Sequence, residues 1–343
     1  MENSLEQQFN SREKQEAEFV KENWMFLINN KLENEYEPIR NSRESLEGED
    51  RELLEEAKKY YQKIGDLFNL IRLELKFNNV NKAEKLAEKY LRIDREPNFL
   101  HCPNQDEGMD EANVIDLKRA YVIRYLARAK KDKELREQAA EKFIQYAEEQ
   151  SKRRELSGDE ASALAFQQAS KLVPLAEKEL TEQKSITQFQ KVILNRAKAG
   201  DRWWETITFR QIGELSSDPE DKQKAVQRLK ELVQEYIQMS DYEKAALLAQ
   251  GINDIDPSNE HAKSMEKLWD ENIEMAKKSG KIRDVGKAYL QLWKHTGKNN
   301  KEKAEGYKKQ ALEWYKKLKK QAGTNGNEEK IRECYLAFSE LIR

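Results

Sequence analysis

His101 and Cys102 stand side by side in the chain, and both residue types bind metal ions. Four acidic side chains follow them within the loop-like stretch 94–112: Asp106, Glu107, Asp110 and Glu111. A metal site needs such ligands at fixed spacing, and the chain has no CxxC pair, no HExxH helix and no EF-hand series of oxygen ligands. We therefore expect an ordinary solvated loop here and keep a metal or enzyme site as the third functional hypothesis.

The other candidate catalytic residues stand alone. His261 and His295 have no sequence partner that would make either one a general base, so structural or solvent-exposed roles are predicted. Cys334 falls on a predicted apolar helix face, where a thiol acts as a small apolar group. No glycine-rich phosphate-binding loop of the P-loop or dinucleotide type is present. The sequence predicts a protein that is not an enzyme and uses no cofactor.

A basic stretch with aromatic residues, 298–320, could bind nucleic acid, since lysines contact phosphates and rings stack on bases. It holds nine lysines, and six of them are the candidate contacts to nucleic acid or an acidic partner: Lys308, Lys309, Lys316, Lys317, Lys319 and Lys320. The same stretch has apolar residues at helical spacing, which are Ala304, Tyr307, Ala311, Trp314 or Tyr315, and Leu318. We favour a surface helix with a buried stripe, and nucleic-acid binding is the second hypothesis.

The charge balance and the cysteine content indicate the compartment. The chain has 62 basic and 64 acidic residues among 343, so no overall field attracts nucleic acid or a membrane. An acidic stretch at 33–56 and the basic one at 298–320 make self-association through opposite ends conceivable. Two distant cysteines do not form a disulfide framework, and the N-terminus lacks the pattern of a signal peptide. We expect a soluble, cytoplasmic protein that does not enter membranes.

Apolar residues recur every three or four positions along most of the chain, which predicts an all-α fold. The stretch 217–259 shows this best, with two helical runs that turn at Ser240 and are bracketed by Asp-Pro pairs at 218–219 and 256–257. An aspartate followed by proline is typical of a helix start. Residues 51–77 form either one helix or two, because Gly65 is compatible with both.

The stretch 217–259 resembles a tetratricopeptide repeat through six residues in that family's large, small and proline order: Leu232, Tyr236, Tyr242, Ala245, Ala249 and Pro257. A further internal similarity supports repetition, since Val-Gly-Lys-Ala-Tyr-Leu at 285–290 matches Ile-Arg-Glu-Cys-Tyr-Leu at 331–336. The repeats are longer than the usual 34 residues, and Ser240 and Gln211 stand where glycine or alanine is commoner. The resemblance implies a right-handed α-solenoid of antiparallel helix pairs.

Three regions follow from this interpretation. Residues 1–112 are an irregular helical region with the 94–112 loop, 113–183 contain helical hairpins, and 184–343 contain the tetratricopeptide-like repeats. The first helix of these repeats is predicted to begin at 184, and turns between paired helices are predicted at Gly200-Asp201 and Gly280. In the family, the first helix of each pair lines a groove. Carried over, the resemblance points to eight candidate partner-binding residues: Arg196, Lys230, Gln234, Gln238, Lys267, Asp270, Glu274 and Lys278.

These eight residues do not form the Lys/Asn/Arg set with which chaperone-binding members of the family hold a C-terminal carboxylate. Their mixture of lysine, acid and glutamine suits a polar peptide or protein surface. The resemblance therefore implies a non-catalytic scaffold or adaptor that binds a protein partner as a subunit of a larger assembly. The identity of that partner does not follow from the sequence.

Overall fold

A computed structural model describes residues 48–92, 111–152, 156–297 and 300–342. Within these ranges the chain forms fourteen α-helices and no strand, which confirms the all-α prediction. The metal hypothesis at His101 and Cys102 lies outside the described residues. None of the helices in these ranges is long and apolar enough to cross a membrane.

The helices of the N-terminal part are α1 (Gly48–Ile64), α2 (Leu67–Lys76), α3 (Val80–Leu91), α4 (Glu111–Lys130), α5 (Lys133–Gln150) and α6 (Leu156–Ser170). Those that follow are α7 (Leu175–Ala199), α8 (Arg202–Leu215), α9 (Pro219–Gln238), α10 (Tyr242–Ile255), α11 (Asn259–Lys278), α12 (Ile282–Thr296), α13 (Lys301–Thr324) and α14 (Glu328–Leu341). Two compact units result. Among the described residues, unit 1 takes 58–188, and unit 2 takes 48–57 and 189–342.

Seven of these helices end in the same type of turn. Each has a residue in the left-handed backbone region just after its last turn: Gly65, Asn78, Lys131, Gly200, Ser240, Gly280 and Gly326. The next residue donates its N–H to the carbonyl five positions earlier, as Asp241 does to Tyr236 at 2.9 Å. In five of the turns that residue also caps the following helix through its side chain; Asp241, for example, accepts the backbone N–H of Lys244.

This turn resolves the ambiguity at 51–77, where Gly65 (φ 73°) separates α1 from α2. It also confirms the turns predicted at Gly200, Ser240 and Gly280. Because a single residue then separates the turn from the next helix, successive helices such as α9 and α10 lie against each other.

Two predicted helix starts are different in the structure. The helix predicted from 184 begins earlier, at Leu175, because Pro174 ends the previous segment and restarts the chain as a helix. The helix predicted to start at Asp256-Pro257 starts two residues later: Asp256 is the C-cap of α10, and Ser258 is the N-cap of α11. The start at Asp218-Pro219 is confirmed, with the Asp218 carboxylate accepting the N–H of Glu220.

Unit 1 has an aromatic core and a buried carboxylate. Tyr121 packs edge-on against Phe143 with ring centroids 5.1 Å apart, within a larger apolar cluster. Glu74 of α2 is fully buried and forms ion pairs with Lys82 (2.7 Å) and Lys58 (3.2 Å). Burial alone would raise the Glu74 pKa, but hydrogen bonds from Lys82, Asn79 and Lys58 outweigh it and lower the pKa.

Unit 2 is held by small residues between helices and by ion pairs between alternate helices. A Cβ atom on Gly213 of α8 would lie 2.7 Å from the Cβ of Ala225 in α9, so these two helices approach closely. Ion pairs join α8 to α10, α11 to α13 and α12 to α14: Arg210 with Asp254 (3.0 Å), Lys303 with Glu266 (2.7 Å) and Lys294 with Glu340 (2.9 Å). Six helices of unit 2 are thus tied to a helix beyond their immediate neighbour.

We expect Ser240→Gly to stabilise the protein by about 1 kcal/mol, because a non-glycine residue in the left-handed region is strained by about 1–2 kcal/mol. The matched variant is Gly280→Ala, where no atom lies within 4 Å of the added Cβ, so only backbone strain changes. It should lose about 1 kcal/mol. Urea unfolding of both variants measures this, and shifts in the same direction would contradict the shared turn geometry.

A second prediction concerns Glu74. Its folded-state pKa lies below the ordinary 4.5, so ionised Glu74 stabilises the fold above that pH, and the stabilisation is lost as the pH falls through the folded-state pKa. Glu74→Gln should cost about 2–3 kcal/mol at pH 7 and flatten the loss of stability in acid. Glu84→Gln, which breaks the exposed pair with Lys130, is the control and should cost about 0.5 kcal/mol. Equal pH profiles for wild type and Glu74→Gln would refute this role.

Candidate partner-binding surface

Seven of the eight predicted partner-binding residues are exposed in unit 2. Lys230, Gln234 and Gln238 follow one another along α9 at four-residue intervals, which places them on one side of the helix. The other four lie on α11: Lys267, Asp270, Glu274 and Lys278. The first helices of the two pairs therefore present these side chains to solvent, and their role in binding stays a prediction.

Arg196 is placed differently. It is only 2% exposed, and its guanidinium forms an ion pair with Asp201 at 3.2 Å and lies 5.8 Å from the centre of the Trp204 ring. Helical spacing predicted a solvent-facing side chain because it does not show that the turn after α7 brings a carboxylate and an indole back over the helix end. In this structure Arg196 joins α7 to α8.

The most elaborate polar cluster of unit 2 includes two of the predicted residues, Asp270 and Glu274. We call it the α11–α13 surface, and it consists of seven residues: Glu266, Asp270, Glu274, Lys277, Tyr289, Lys303 and Tyr307. The rings of Tyr289 and Tyr307 lie 6.3 Å apart at 37°. The ammonium of Lys277 is 5.8 Å from the Tyr289 ring centre, and that of Lys303 is 5.7 Å from the Tyr307 ring centre.

Helix geometry explains the assembly of this surface. Glu266, Asp270 and Glu274 recur every four residues, so they lie along one line of α11. On α13, Tyr307 lies three residues after buried Ala304 and four before buried Ala311, which puts its ring at the edge of the buried stripe. Both tyrosines are consequently half-buried, with part of each ring exposed to solvent.

Ion pairs fix the lysines of this surface. Lys303 contacts Glu266 at 2.7 Å, and Lys277 contacts Glu274 at 3.3 Å. The hydrogen bond to Glu266 is the main reason that the Lys303 pKa is raised. For Lys277, partial burial lowers the pKa, but Tyr289 and Glu274 outweigh it and leave the pKa raised. Both ammonium groups therefore stay charged at neutral pH.

The acidic and phenolic groups are also shifted. Loss of water around its carboxyl raises the pKa of Asp270, with Glu266 adding to the rise and Lys303 opposing it. Partial burial likewise raises the pKa of Tyr307, and Lys303 partly offsets this effect. The surface thus combines charged donors, charged acceptors and two aromatic rings, a combination suited to reversible binding of a polar protein surface.

Sequence reasoning missed most of this surface. Tyr289 was used only as a repeat marker, and Tyr307 was assigned to the buried stripe. The signal that could have found them is that each tyrosine lies at the margin of its helix's apolar stripe, where a half-buried ring results. The pairing of α11 with α13 through Glu266 and Lys303 carries no local sequence signal.

The basic helix forms α13, and its buried stripe is close to the predicted one: Ala304, Ala311, Tyr315, Leu318 and Ala322. At least three of the six candidate lysines contact other groups of the protein. Lys308 pairs with Glu305 (3.7 Å), Lys317 lies 4.3 Å from the Trp314 ring centre, and Lys319 pairs with Glu56. Lys309 and Lys320 are exposed, and Lys316 is half-buried. Nucleic-acid binding by this helix stays a prediction.

The isolated candidate catalytic residues, His261, His295 and Cys334, lie against other groups of the protein. His261 Nδ1 lies 2.9 Å from the carbonyl oxygen of Asp256, and His295 Nδ1 lies 3.8 Å from the Asp254 carboxylate. Cys334 is fully buried, and burial raises the pKa of its thiol to about 12. Across the described ranges, no three His, Cys, Asp or Glu side chains are grouped so as to hold a metal ion.

No protein-family model matches the chain, and no curated protein sequence matches it. Function is therefore inferred from the geometry of the described residues.

The electrostatics of the α11–α13 surface can be tested at Tyr307. Because the Lys303 ammonium favours the phenolate, Lys303→Met should raise the Tyr307 pKa further. NMR of ring-labelled tyrosine during an alkaline titration measures it. Lys301→Met removes an exposed charge from the same helix and should leave the Tyr307 pKa almost unchanged. A fall in the Tyr307 pKa on removing Lys303 would contradict the arrangement.

Proposed function

We propose that this protein is a non-catalytic scaffold or adaptor, a subunit of a larger assembly, that binds a protein partner through the exposed faces of α9 and α11 and the α11–α13 surface. The fold we propose for it is a right-handed, tetratricopeptide-like solenoid of antiparallel helix pairs. The repeated left-handed turn and the ion pairs between alternate helices support this fold, because both features recur along unit 2.

The observation that carries the functional proposal is the half-buried Tyr289 and Tyr307 pair between two lysines and three carboxylates. Tyrosine supplies a large contact area at a small cost in conformational entropy, and it is enriched at protein interfaces. The neighbouring charges supply specificity and steer association more than they add affinity. A partner of mixed charge with exposed polar groups fits this surface.

The test is affinity capture of the tagged, full-length protein from its native cells, with and without nuclease treatment, and mass spectrometry is the readout. The variant Asp270→Lys with Glu274→Lys reverses two exposed charges of the α11–α13 surface. It should lower the yield of the main partner at least tenfold, because opposed like charges cost several kcal/mol at an interface. Circular dichroism should show an unchanged fold, since both side chains are exposed.

The matched control is Lys309→Glu with Lys320→Glu, which reverses two exposed charges of α13 outside the α11–α13 surface. This control should retain the partner. If instead the control alone loses its partners, and those partners disappear with nuclease, the scaffold proposal fails and the basic-helix hypothesis replaces it. Capture of the same partner by both variants would refute the assignment of the binding surface.

A further inference from the structure

A second feature of unit 2, away from the α11–α13 surface, is an aromatic corner that contains a cation. The rings of Trp203 (α8) and Tyr236 (α9) meet almost perpendicularly, at 87°, with centroids 5.4 Å apart. The Lys244 ammonium of α10 lies over both rings, 5.0 Å from the centre of Tyr236 and 5.8 Å from that of Trp203. Both distances are within the range of a cation–π interaction.

Three acidic residues and one guanidinium, that of Arg202, lie near the same corner, and Arg202 pairs with Glu235 at 2.8 Å. The Asp241 carboxylate contacts the Lys244 ammonium at 3.3 Å through one oxygen and caps α10 through the other. Partial burial, followed by the charges of Asp241, Glu235 and Asp201, raises the pKa of the Tyr236 hydroxyl. The corner thus has two ring faces and a carboxylate that its role as a helix cap holds in place. These are the components of a site for an organic cation.

The resident lysine is weakly held. Its side chain is 47% exposed, and an ion pair in such a position contributes little to stability. A cation–π contact at an exposed site is likewise weak. Lys244 can therefore leave the corner at small cost, while Trp203 and Tyr236, both half-buried, keep their positions against each other.

Competition with Lys244 selects the chemical class of ligand. A tethered group has an effective concentration in the millimolar range, so an ordinary external ammonium, chemically equal to Lys244, gains nothing by replacing it. A quaternary ammonium is larger and cannot donate hydrogen bonds to water, so it loses less hydration when it enters an aromatic site, and aromatic cages recognise this class of cation.

We propose that Trp203, Tyr236 and Asp241 form a binding site for a quaternary ammonium group, with Lys244 as its built-in occupant. The group is carried by a trimethylated lysine or by choline, which share this chemistry. The site is separate from the α11–α13 surface, so it does not depend on the scaffold proposal. This site gives the chain a second contact, which forms only with a trimethylated lysine or a choline group and is additional to the partner bound at the α11–α13 surface.

Calorimetric titration of the full-length protein tests the site. The probes are N-acetyl-trimethyl-lysine amide and phosphocholine, with the neutral tert-butyl analogue of the former and N-acetyl-arginine amide as comparison ligands. Lys244→Ala removes the occupant and should bind at least one of the two quaternary probes at least tenfold more tightly than the wild type. The neutral analogue and the arginine amide should bind at least tenfold more weakly than that probe to the same variant.

The double variant Lys244→Ala with Trp203→Leu should lose the binding, whereas Lys244→Ala with Lys281→Ala, which removes an exposed lysine elsewhere in unit 2, should retain it. Trimethyl-lysine binding alone identifies a modified protein as the source of the cation, and phosphocholine binding alone identifies a choline compound. No saturable binding to folded Lys244→Ala, equal binding of the neutral analogue or the arginine amide, or retention of binding without Trp203 would overturn the proposal. None of these outcomes affects partner capture by the α11–α13 surface.

Discussion

The structure depends most on the hydrogen bond that closes each left-handed turn. A helix cannot continue past a residue with positive φ. The next residue donates its backbone N–H to a carbonyl that would otherwise be unpaired at the helix end. The same residue then starts the next helix, in five cases by capping it with its own side chain. The chain therefore changes direction within about two residues, and successive helices are forced into contact before any long-range packing is specified.

Both candidate sites, the α11–α13 surface and the aromatic corner of Trp203 and Tyr236, depend on these left-handed turns. The Asp241 that closes the turn after α9 is also the carboxylate that holds the Lys244 ammonium between two rings. The turn at Gly280 places α12 beside α11, so that the Tyr289 ring lies next to the ammonium of Lys277 near the end of α11. Functional side chains on helices of this kind gain positional accuracy from a rigid backbone, and their specificity depends on which residues occupy the helix margins.

The sequence predicted the parts of this fold that have local causes. Apolar spacing identified the helices, and glycine with a following aspartate predicted the turn at Gly200. At Gly65 the same pair of residues left one long helix and two helices equally compatible. Pro257 was assigned to a helix start because aspartate precedes it, yet Ser258 is the better cap and takes that position. Local chemistry contained both possibilities, since serine and aspartate are both favoured as N-caps.

The candidate surfaces were less accessible to such reasoning. Exposure of Lys230 or Glu274 follows from the side of the helix on which it lies, and the sequence predicted it. The burial of Arg196 and the pairing of Tyr289 with Tyr307 depend on which helix approaches from outside the local segment, and helical spacing does not encode that. Ion pairs between distant parts of the chain, such as Arg210 with Asp254, are likewise not predictable from helical spacing.

The burial of Cys334 has a practical consequence. A thiol with a pKa near 12 and no solvent contact is almost unreactive toward alkylating reagents while α14 stays packed. Any reagent that modifies it must wait for α14 to open, so the modification rate at low denaturant reports the free energy of that opening. The modification rate of Cys334 thus measures the local unfolding of α14. It can show whether α14 opens separately from the rest of unit 2.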